Sequence, residues 1–320
     1  MRRDLLLLSA GRRVELLEGF RAAARQLLPG ARVLAADMRP GLSAACQVAD
    51  AAFALPAIGA PDYAEALAEL CAREKIGLVV PTIDTELPPL ARLREAFASE
   101  GTHLVISDPA LVSACRDKTT VGALFDRLGL ASPALMPHDA IHFPCFTKPR
   151  DGSSSIGAMR LDAPEMLSEA MRADPNRLFM ELVPSDHVEV TIDLYYGRDH
   201  RLKAAVPRQR IETRGGEVSK GVTRRDWLHD LLRDRLAAIA GARGCLTLQL
   251  FAPPAGDRVL AIEINPRFGG GFPLALAAGA DFPAWLIREY LLGETISWFD
   301  DWEDRLVMLR YDAKVLVHGG

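Results

Sequence analysis

The first third of the chain alternates short apolar runs with amphipathic stretches. Four apolar runs predict buried strands, and they lie at 5–8, 33–36, 76–80 and 104–107. The amphipathic stretches between them predict helices at 14–28, 62–75 and 87–99. In the second of these helices, Tyr63, Leu67, Leu70 and Cys71 recur at a spacing that places them on one face. Regular alternation of strand and helix predicts a parallel sheet with helices on both faces.

Beyond residue 110 the pattern changes to shorter helices and to strands that follow one another directly. The helices are predicted at 118–128, 162–172 and 226–240. The strands are predicted at 143–149, 178–183, 187–196, 201–207, 245–251 and 260–265. We therefore expect an α/β domain followed by an α+β region of two parts, with boundaries at 1–110, 111–182 and 183–320.

The last two predicted strands carry polar side chains inside otherwise apolar runs. Pro253-Pro254-Ala255-Gly256-Asp257 joins them and has the composition of a turn, and a hairpin centred on Gly256 places Gln249 opposite Glu263. Asn265 points to the same face as Glu263, because side chains two apart on a strand do so. Carboxylate and amide oxygens suit Mg²⁺, so Gln249, Glu263 and Asn265 are candidate metal ligands. The alternative is that Gln249 is a polar edge residue and Glu263 a solvated strand end.

Two further segments have the chemistry of phosphate sites. Arg267 follows the candidate metal ligands by two residues, where it could meet a metal-bound phosphate, and it is a candidate catalytic residue. Lys148 precedes a small, flexible segment whose candidate phosphate contacts are Ser153, Ser154, Ser155 and Gly157. Backbone N–H groups of such a loop can cradle phosphate oxygens, although no Walker sequence follows. A flexible surface loop is an equally good interpretation of this segment alone.

Candidate substrate contacts fall at strand ends and in a basic segment. Ligands bind at the carboxyl ends of strands in open parallel sheets. The polar residues predicted at those ends are Ser9, Gly11, Arg12, Thr82, Asp84 and Glu86. In the segment 207–221, predicted to be a loop, Arg208 and Arg210 could orient an anionic substrate group, and Lys220 is a candidate catalytic cation. The alternatives are turn-and-cap residues for the first set and a solvated basic loop for the second.

Composition narrows the class of partner. The chain has 320 residues and a formal net charge of −4, so it lacks the basic footprint of a nucleic-acid-binding protein. Its five cysteines are widely spaced, which argues against a zinc site or a disulfide framework and fits a reducing cytoplasm. The apolar run at 5–8 is too short to span a membrane. The expected partners are therefore small molecules.

The order of these features resembles the ATP-grasp superfamily over about 110–295. The residues that carry the resemblance are Lys118, Lys148, Glu181, Glu189, Gln249, Glu263 and Asn265. The run Glu263-Ile264-Asn265-Pro266-Arg267 and the Gln249-to-Glu263 interval are most similar to small ligases related to the carbamoyl-phosphate synthase large subunit. The resemblance implies a preATP-grasp domain followed by a two-subdomain ATP-grasp fold. The short Lys118-to-Lys148 interval departs from the family and suggests a trimmed first subdomain.

The resemblance also implies roles for individual residues. Lys118 and Lys148 would contact ATP phosphates. Glu181, Leu182 and Val183 would contact the adenine. Glu189 would contact the ribose. Gln249, Glu263 and Asn265 would hold one or two Mg²⁺ ions, with Mn²⁺ as a substitute, and Arg267 would stabilise the transferring phosphoryl group.

The expected function is that of an ADP-forming ligase. Such an enzyme would use ATP to activate a small carboxylate, expected to be an amino acid, as an acyl phosphate and join it to an amine. Two alternatives remain open: an acyl- or carbamoyl-phosphate synthase that uses no acceptor, and an ATP-binding regulatory subunit without turnover. The family resemblance also suggests a homodimer.

Overall fold

The computed structural model describes residues 3–117, 120–150, 157–256 and 258–318. The backbone in these ranges forms a five-stranded, a four-stranded and a six-stranded sheet. No helix in the same ranges combines the length and the apolar character that crossing a bilayer requires. Lys118 and Ser153, Ser154 and Ser155, predicted to contact phosphate, lie outside the described residues.

The first sheet is parallel, with strand order β3-β2-β1-β4-β5 and helices between the strands. Its elements are β1 (Asp4–Leu8), α1 (Val14–Leu27), β2 (Val33–Asp37), α2 (Ala44–Val48), β3 (Ala52–Ala54), α3 (Tyr63–Arg73), β4 (Ile76–Val80), α4 (Leu87–Ser99) and β5 (His103–Leu104). Leu5 and Leu7 pack into one hydrophobic core, and Leu6 and Leu8 into another. A strand buried on both faces explains the uninterrupted apolar run, and the predicted α/β region is confirmed.

The second sheet is antiparallel, with strand order β6-β9-β7-β8. The segment that contains it consists of α5 (Pro109–Arg116), α6 (Val121–Arg127), β6 (Leu135–Met136), β7 (Cys145–Pro149), β8 (Met159–Leu161), α7 (Glu169–Ala173) and β9 (Arg177–Glu181). Its small core is formed around Cys145, Leu161 and Phe179. The helix predicted at 162–172 is interrupted, because Ser168 is extended and caps α7 through a bond from the Met171 N–H.

The third sheet is antiparallel, with strand order β14-β13-β10-β11-β12-β15. Its segment consists of β10 (Val188–Tyr196), β11 (Leu202–Arg214), β12 (Glu217–Thr223), α8 (Trp227–Arg235), β13 (Gly244–Ala252), β14 (Leu260–Asn265), α9 (Phe272–Ala277), α10 (Phe282–Leu291) and β15 (Val307–Leu309). On β10, Val190, Ile192 and Leu194 pack into a core with α8. Thr191 and Asp193 alternate with them and lie on the opposite face of the sheet. The predicted mixture of a parallel sheet and antiparallel sheets is confirmed.

Two predictions for this segment are wrong. The stretch 207–221 is a hairpin, because β11 pairs with β10 and then with β12, which is itself bordered by β15. Gly215 and Gly216 both have positive φ and make the turn. The helix predicted at 226–240 ends at Arg235, since the Ala237 carbonyl accepts a bond from the Leu202 N–H at the start of β11.

Candidate functional site

A cleft of about 1000 Å³ is lined by residues of the two antiparallel sheets and by residues from loops at the edge of the parallel sheet. β13 and β14 line one side with polar side chains, and the end of β9 and the following residues line another. The loop after β4 brings Asp84 to the cleft, so the carboxyl end of the parallel sheet contributes as predicted. The cleft therefore lies where the two antiparallel sheets meet loops of the parallel sheet, and its lining mixes charged, amide and apolar side chains.

The three candidate metal ligands come together in the cleft. In the β13–β14 register Gln249 pairs with Glu263, as predicted from the sequence, and Thr247 pairs with Asn265. The Gln249 Nε2 donates to Glu263 Oε1 at 2.5 Å, and the Asn265 Nδ2 donates to the same oxygen at 2.8 Å. A β-bulge follows Gln249, so that Leu250 pairs with Ala261, and both Ile262 and Glu263 line the cleft.

This donor set fits magnesium. Within the described ranges, no three or more His, Cys, Asp or Glu side chains form a group suited to a metal. The candidate site has only one carboxylate, because two of its three converging donors are amides. Mg²⁺ in nucleotide sites is commonly held by one or two carboxylates together with phosphate oxygens and water. Glu263 supplies the carboxylate, and a half-turn of either amide would present its carbonyl oxygen in place of its amino group.

Arg210 links one of the candidate metal ligands to a neighbouring strand. It lies on β11, pairs with the Glu189 carboxylate on β10, and donates from Nη1 to Gln249 Oε1 at 3.3 Å. Its Nη2 donates to the Gly216 carbonyl at 2.9 Å and so ties the hairpin turn to the site. The guanidinium thus lies between the residue predicted to contact ribose and one of the predicted metal ligands, where it would meet a negatively charged ligand.

The predicted nucleotide contacts of the smaller sheet also line the cleft. Lys148 on β7, Glu181 at the end of β9, and the following Leu182 and Val183 are all part of its wall. Glu181 forms a salt bridge with Arg258 at 3.6 Å. Gly157 does not line the cleft, and its carbonyl accepts a bond from Arg177.

At the other end of the cleft, Arg267 forms an ion pair with Asp84. Its Nε donates to both Asp84 oxygens at 3.1 Å, and its Nη2 donates to Oδ2 at 2.6 Å. Arg13 also lines this end, and its pKa is lowered first by burial and then by the charge of Arg267. Burial acts to raise the pKa of Glu217, but the nearby arginines, Arg12 first, outweigh it and the pKa lies below its ordinary value. Two arginines and two acidic side chains therefore lie at this end of the cleft.

Arg13 and Glu217 are cleft residues that the sequence-based set does not contain. Arg13 precedes the first residue of α1, and Glu217 follows the hairpin turn. A signal for Arg13 exists in the sequence, since it adjoins Arg12 at the predicted strand end. Glu217 has no comparable signal, because only the pairing of β11 with β12 brings it to the cleft.

Three of the predicted substrate residues instead tie β1 to β4. The Ser9 hydroxyl donates to Glu86 Oε2 at 2.8 Å, and the Thr82 N–H donates to Glu86 Oε1 at 2.7 Å. The Thr82 hydroxyl donates to the Leu8 carbonyl, and both Thr82 and Glu86 are fully buried. The structure therefore does not bring Ser9, Thr82 and Glu86 to the cleft, because their polar atoms are used in joining two strand ends.

Four other predicted residues have different surroundings from those expected. The Gly11 N–H donates to Asp37, and Arg12 is exposed and pairs with Glu217 at 3.1 Å. Lys220 lies on β12, pairs with Glu212 at 2.7 Å and does not line the cleft, which leaves no contact to support its catalytic role. Arg208 lines the cleft but is 1% exposed and forms a two-bond pair with Asp193.

Replacing Glu86 by glutamine is expected to change how stability depends on pH. Burial raises the pKa of Glu86 to about 6. A carboxyl whose pKa is higher in the folded state stabilises the fold below its ordinary pKa, and this contribution is lost as pH rises through about 6. We expect the free energy of unfolding of Glu86→Gln, relative to the unmodified chain, to increase by roughly 1–2 kcal/mol between pH 4.5 and 7. Urea unfolding at several pH values measures this, and a pH-independent difference would contradict it.

The glycines after Arg267 allow the backbone to lie close to charged side chains. A Cβ on Gly271 would lie 2.7 Å from Val218 Cγ1 and would overlap the Arg208 guanidinium. Cβ atoms on Gly269 and Gly270 would crowd Thr247 and Glu217. The glycine run is therefore needed for close packing against the floor of the cleft.

The Gly271→Ala variant is expected to lose about 1–3 kcal/mol of stability, because the added methyl group overpacks a filled space. Gly59→Ala is the matched control, since a Cβ at Gly59 would have no heavy atom within 4 Å. Thermal or urea unfolding of the two variants compares them directly. An equal stability for both would show that the backbone at Gly271 can move away at no cost.

Family models match two separate parts of the chain. Residues 5–105 match the PylC-like N-terminal domain. Residues 173–309 match the model described as ATP-grasp in the biosynthetic pathway with Ter operon. The chain contains an ATP-grasp domain that follows a PylC-like N-terminal domain. The resemblance inferred from the order of the residues between Lys118 and Asn265 is thereby confirmed.

Solved structures agree with this fold at low sequence identity. The biotin carboxylase domain of Hydrogenobacter thermophilus 2-oxoglutarate carboxylase has a TM-score of 0.71 at 15% identity, covering 96% of this chain and 74% of that one. Bacillus licheniformis L-amino acid ligase has a TM-score of 0.67 at 16% identity, covering 90% and 74%. Rhizobium etli pyruvate carboxylase has a TM-score of 0.64 at 16% identity over 88% of this chain, which spans only 28% of that enzyme. The comparison with curated proteins gave no match.

Proposed function

We propose that this ATP-grasp protein is an ATP- and Mg²⁺-dependent ligase that forms an acyl phosphate from a small carboxylate and joins it to an amine. The observation that carries the proposal is the convergence of Gln249, Glu263 and Asn265 in a cleft that also presents Arg267. The Hydrogenobacter carboxylase domain of the same fold was solved with MgADP and bicarbonate, which supports a nucleotide and a small acid in such a cleft.

The nucleotide would lie along the cleft between the smaller sheet and the metal face. Glu181, Leu182 and Val183 would meet the adenine, and Glu189 the ribose. Lys148, Lys118 and the serines at 153–155 would bind the phosphates. Magnesium held by Gln249, Glu263 and Asn265 would neutralise charge on the transferring phosphoryl group.

The chemistry follows from the poor reactivity of carboxylates. A carboxylate repels nucleophiles and has no good leaving group, so one of its oxygens first attacks the γ-phosphorus of ATP. The bond from that phosphorus to the β,γ-bridging oxygen breaks and ADP leaves. An amine then attacks the acyl carbon, inorganic phosphate departs, and the amine loses a proton. Arg267 would hold the reacting carboxylate and stabilise negative charge in both steps.

The test is ADP release from ATP and Mg²⁺ with pools of small carboxylates, with and without pools of amines, followed by mass spectrometry of the products. We expect ADP together with a product whose mass equals carboxylate plus amine minus water. ADP and phosphate without a conjugate would instead indicate an acyl-phosphate synthase. Absence of ADP across all pools would overturn the proposal in favour of a nucleotide-binding protein without turnover.

A further inference from the structure

The Asp84–Arg267 ion pair lies where the reacting carboxylate of the proposed ligase would be held. Asp84 belongs to the short 3₁₀ turn after β4, and Arg267 follows β14, so the pair joins the edge of the parallel sheet to the end of β14. The Arg267 side chain is 16% exposed and that of Asp84 is 36% exposed, and both line the cleft. A ligand can therefore reach both members of the pair.

The backbone and neighbouring charges hold Asp84 in position. The Arg116 Nη1 donates to the Asp84 backbone carbonyl at 2.7 Å, which leaves the carboxylate for Arg267. Arg13 lies near enough to Arg267 for the two charges to repel. A carboxylate arriving here has two guanidinium groups to bind, while Asp84 remains the negative group beside them.

We propose that Asp84 determines substrate specificity by binding an ammonium group next to the carboxylate that is activated, so that the acid substrate is an α-amino acid. The proposal rests on the proposed ligase function and adds the class of acid. Asp84 would bind the α-ammonium group, and Arg267 and Arg13 the α-carboxylate.

The number of ion pairs that remain after binding favours an α-amino acid as the substrate. A simple carboxylate that binds Arg267 displaces Asp84 and leaves its charge unpaired beside a second anion, which is unfavourable in a partly desolvated site. An α-amino acid carries its ammonium and carboxylate groups on one carbon, so it can replace one ion pair with two. The same geometry disfavours bicarbonate, which offers no cation to Asp84.

The experiment compares amino acids with the acids that lack only the α-amino group. The pairs are alanine and propionate, leucine and 4-methylpentanoate, and glutamate and glutarate, each with ATP, Mg²⁺ and hydroxylamine as a common nucleophile. For at least one pair we expect kcat/KM for ADP release to favour the amino acid by roughly 100-fold, since a charge left unpaired in a partly desolvated site penalises the wrong substrate. Asp84→Asn should reduce that preference to within about tenfold, chiefly by raising KM for the amino acid.

Two variants control for a purely structural effect. Asp234→Asn makes the same chemical change at an exposed position on α8 and should keep the full preference. Asp84→Glu retains the charge and should keep most of the preference, which covers the case in which Asp84→Asn does not fold. Thermal unfolding checks the fold of each variant.

The outcomes separate this inference from the proposed function. Rapid ADP release from the acids without an amino group, unaffected by Asp84→Asn, would overturn the role of Asp84 and leave the ligase proposal intact. An equal fall in turnover for both members of every pair would also overturn it, because Asp84 would then only position Arg267. No ADP release with any carboxylate would overturn both.

Discussion

Replacing Glu263 by glutamine is expected to reduce magnesium-dependent ADP release by at least about 1000-fold while the protein remains folded. Glu263 is the carboxylate among the three converging donors, and both amide groups donate to its Oε1. Glutamine keeps the size of the side chain but removes its charge. A metal that contributes several kcal/mol to phosphoryl transfer would no longer be held, and ~4 kcal/mol corresponds to about a thousandfold in rate.

The measurement is ADP formation over a range of Mg²⁺ and Mn²⁺ concentrations. Glu100→Gln is the matched control, because Glu100 is an exposed residue at the end of α4 and should have unchanged turnover. Thermal unfolding of Glu263→Gln should remain close to that of the unmodified protein, since the glutamine amide can keep one of the neighbouring hydrogen bonds. Full activity in Glu263→Gln would show that the metal is held elsewhere.

Part of the arrangement of the three candidate metal ligands can be predicted from local rules. The turn composition around Gly256 identifies the hairpin, but next to the turn Leu250 pairs with Ala261 and Phe251 with Leu260, and the bulge after Gln249 is what brings Gln249 opposite Glu263. The two-residue period of a strand then places Asn265 beside them. The bulge after Gln249 cannot be predicted in this way, because one extra residue in a strand leaves no clear mark on an apolar pattern.

The surroundings of the strand-end residues depend on packing that no local pattern reports. Ser9, Thr82 and Glu86 have the residue types of a binding loop, yet they bond to one another because β1 and β4 are neighbours in the parallel sheet. Asp84 lies in the same short segment and faces the cleft. The sequence identifies the segment. Only the three-dimensional path of the turn shows that Glu86 is buried between strands while Asp84 lines the cleft.

The segment 207–221 is misread as a loop for a related reason. Its many charges are typical of solvated loops, but on β11 they alternate, so that Arg208 and Arg210 face the cleft. The strand is completed by β12, whose other edge is paired with β15 near residue 308. One edge of 217–223 is paired within the hairpin with β11, but its other edge is paired with a strand that is distant in sequence. Short elements such as β15 carry too few positions to show a period.

Asp193 and Arg208 form a buried ion pair beneath the cleft. Asp193 is fully buried, and it accepts bonds from the Arg208 Nε at 2.6 Å and Nη2 at 3.0 Å. Thr191 pairs with Arg208 in the β10–β11 register, so Asp193 is the diagonal neighbour of Arg208 on the same face. Burial acts to raise the pKa of Asp193, and the Arg208 charge opposes that shift. Each buried charge is therefore compensated by the other inside the sheet.

Removing one member of this pair is expected to cost much more than removing both. Asp193→Leu would leave the Arg208 charge buried without compensation and should lower the free energy of unfolding by about 3–5 kcal/mol. The double variant Asp193→Leu/Arg208→Met should recover most of this loss, because a hydrophobic pair of similar volume needs no charge compensation. Urea unfolding of both single variants and the double variant measures the coupling.

Asp312→Ala, which breaks the exposed Arg214–Asp312 pair, should leave stability unchanged and serves as the control. If Asp193→Leu alone were as stable as the double variant, Arg208 would have to reach solvent through the cleft, and its guanidinium would then be available to a bound substrate.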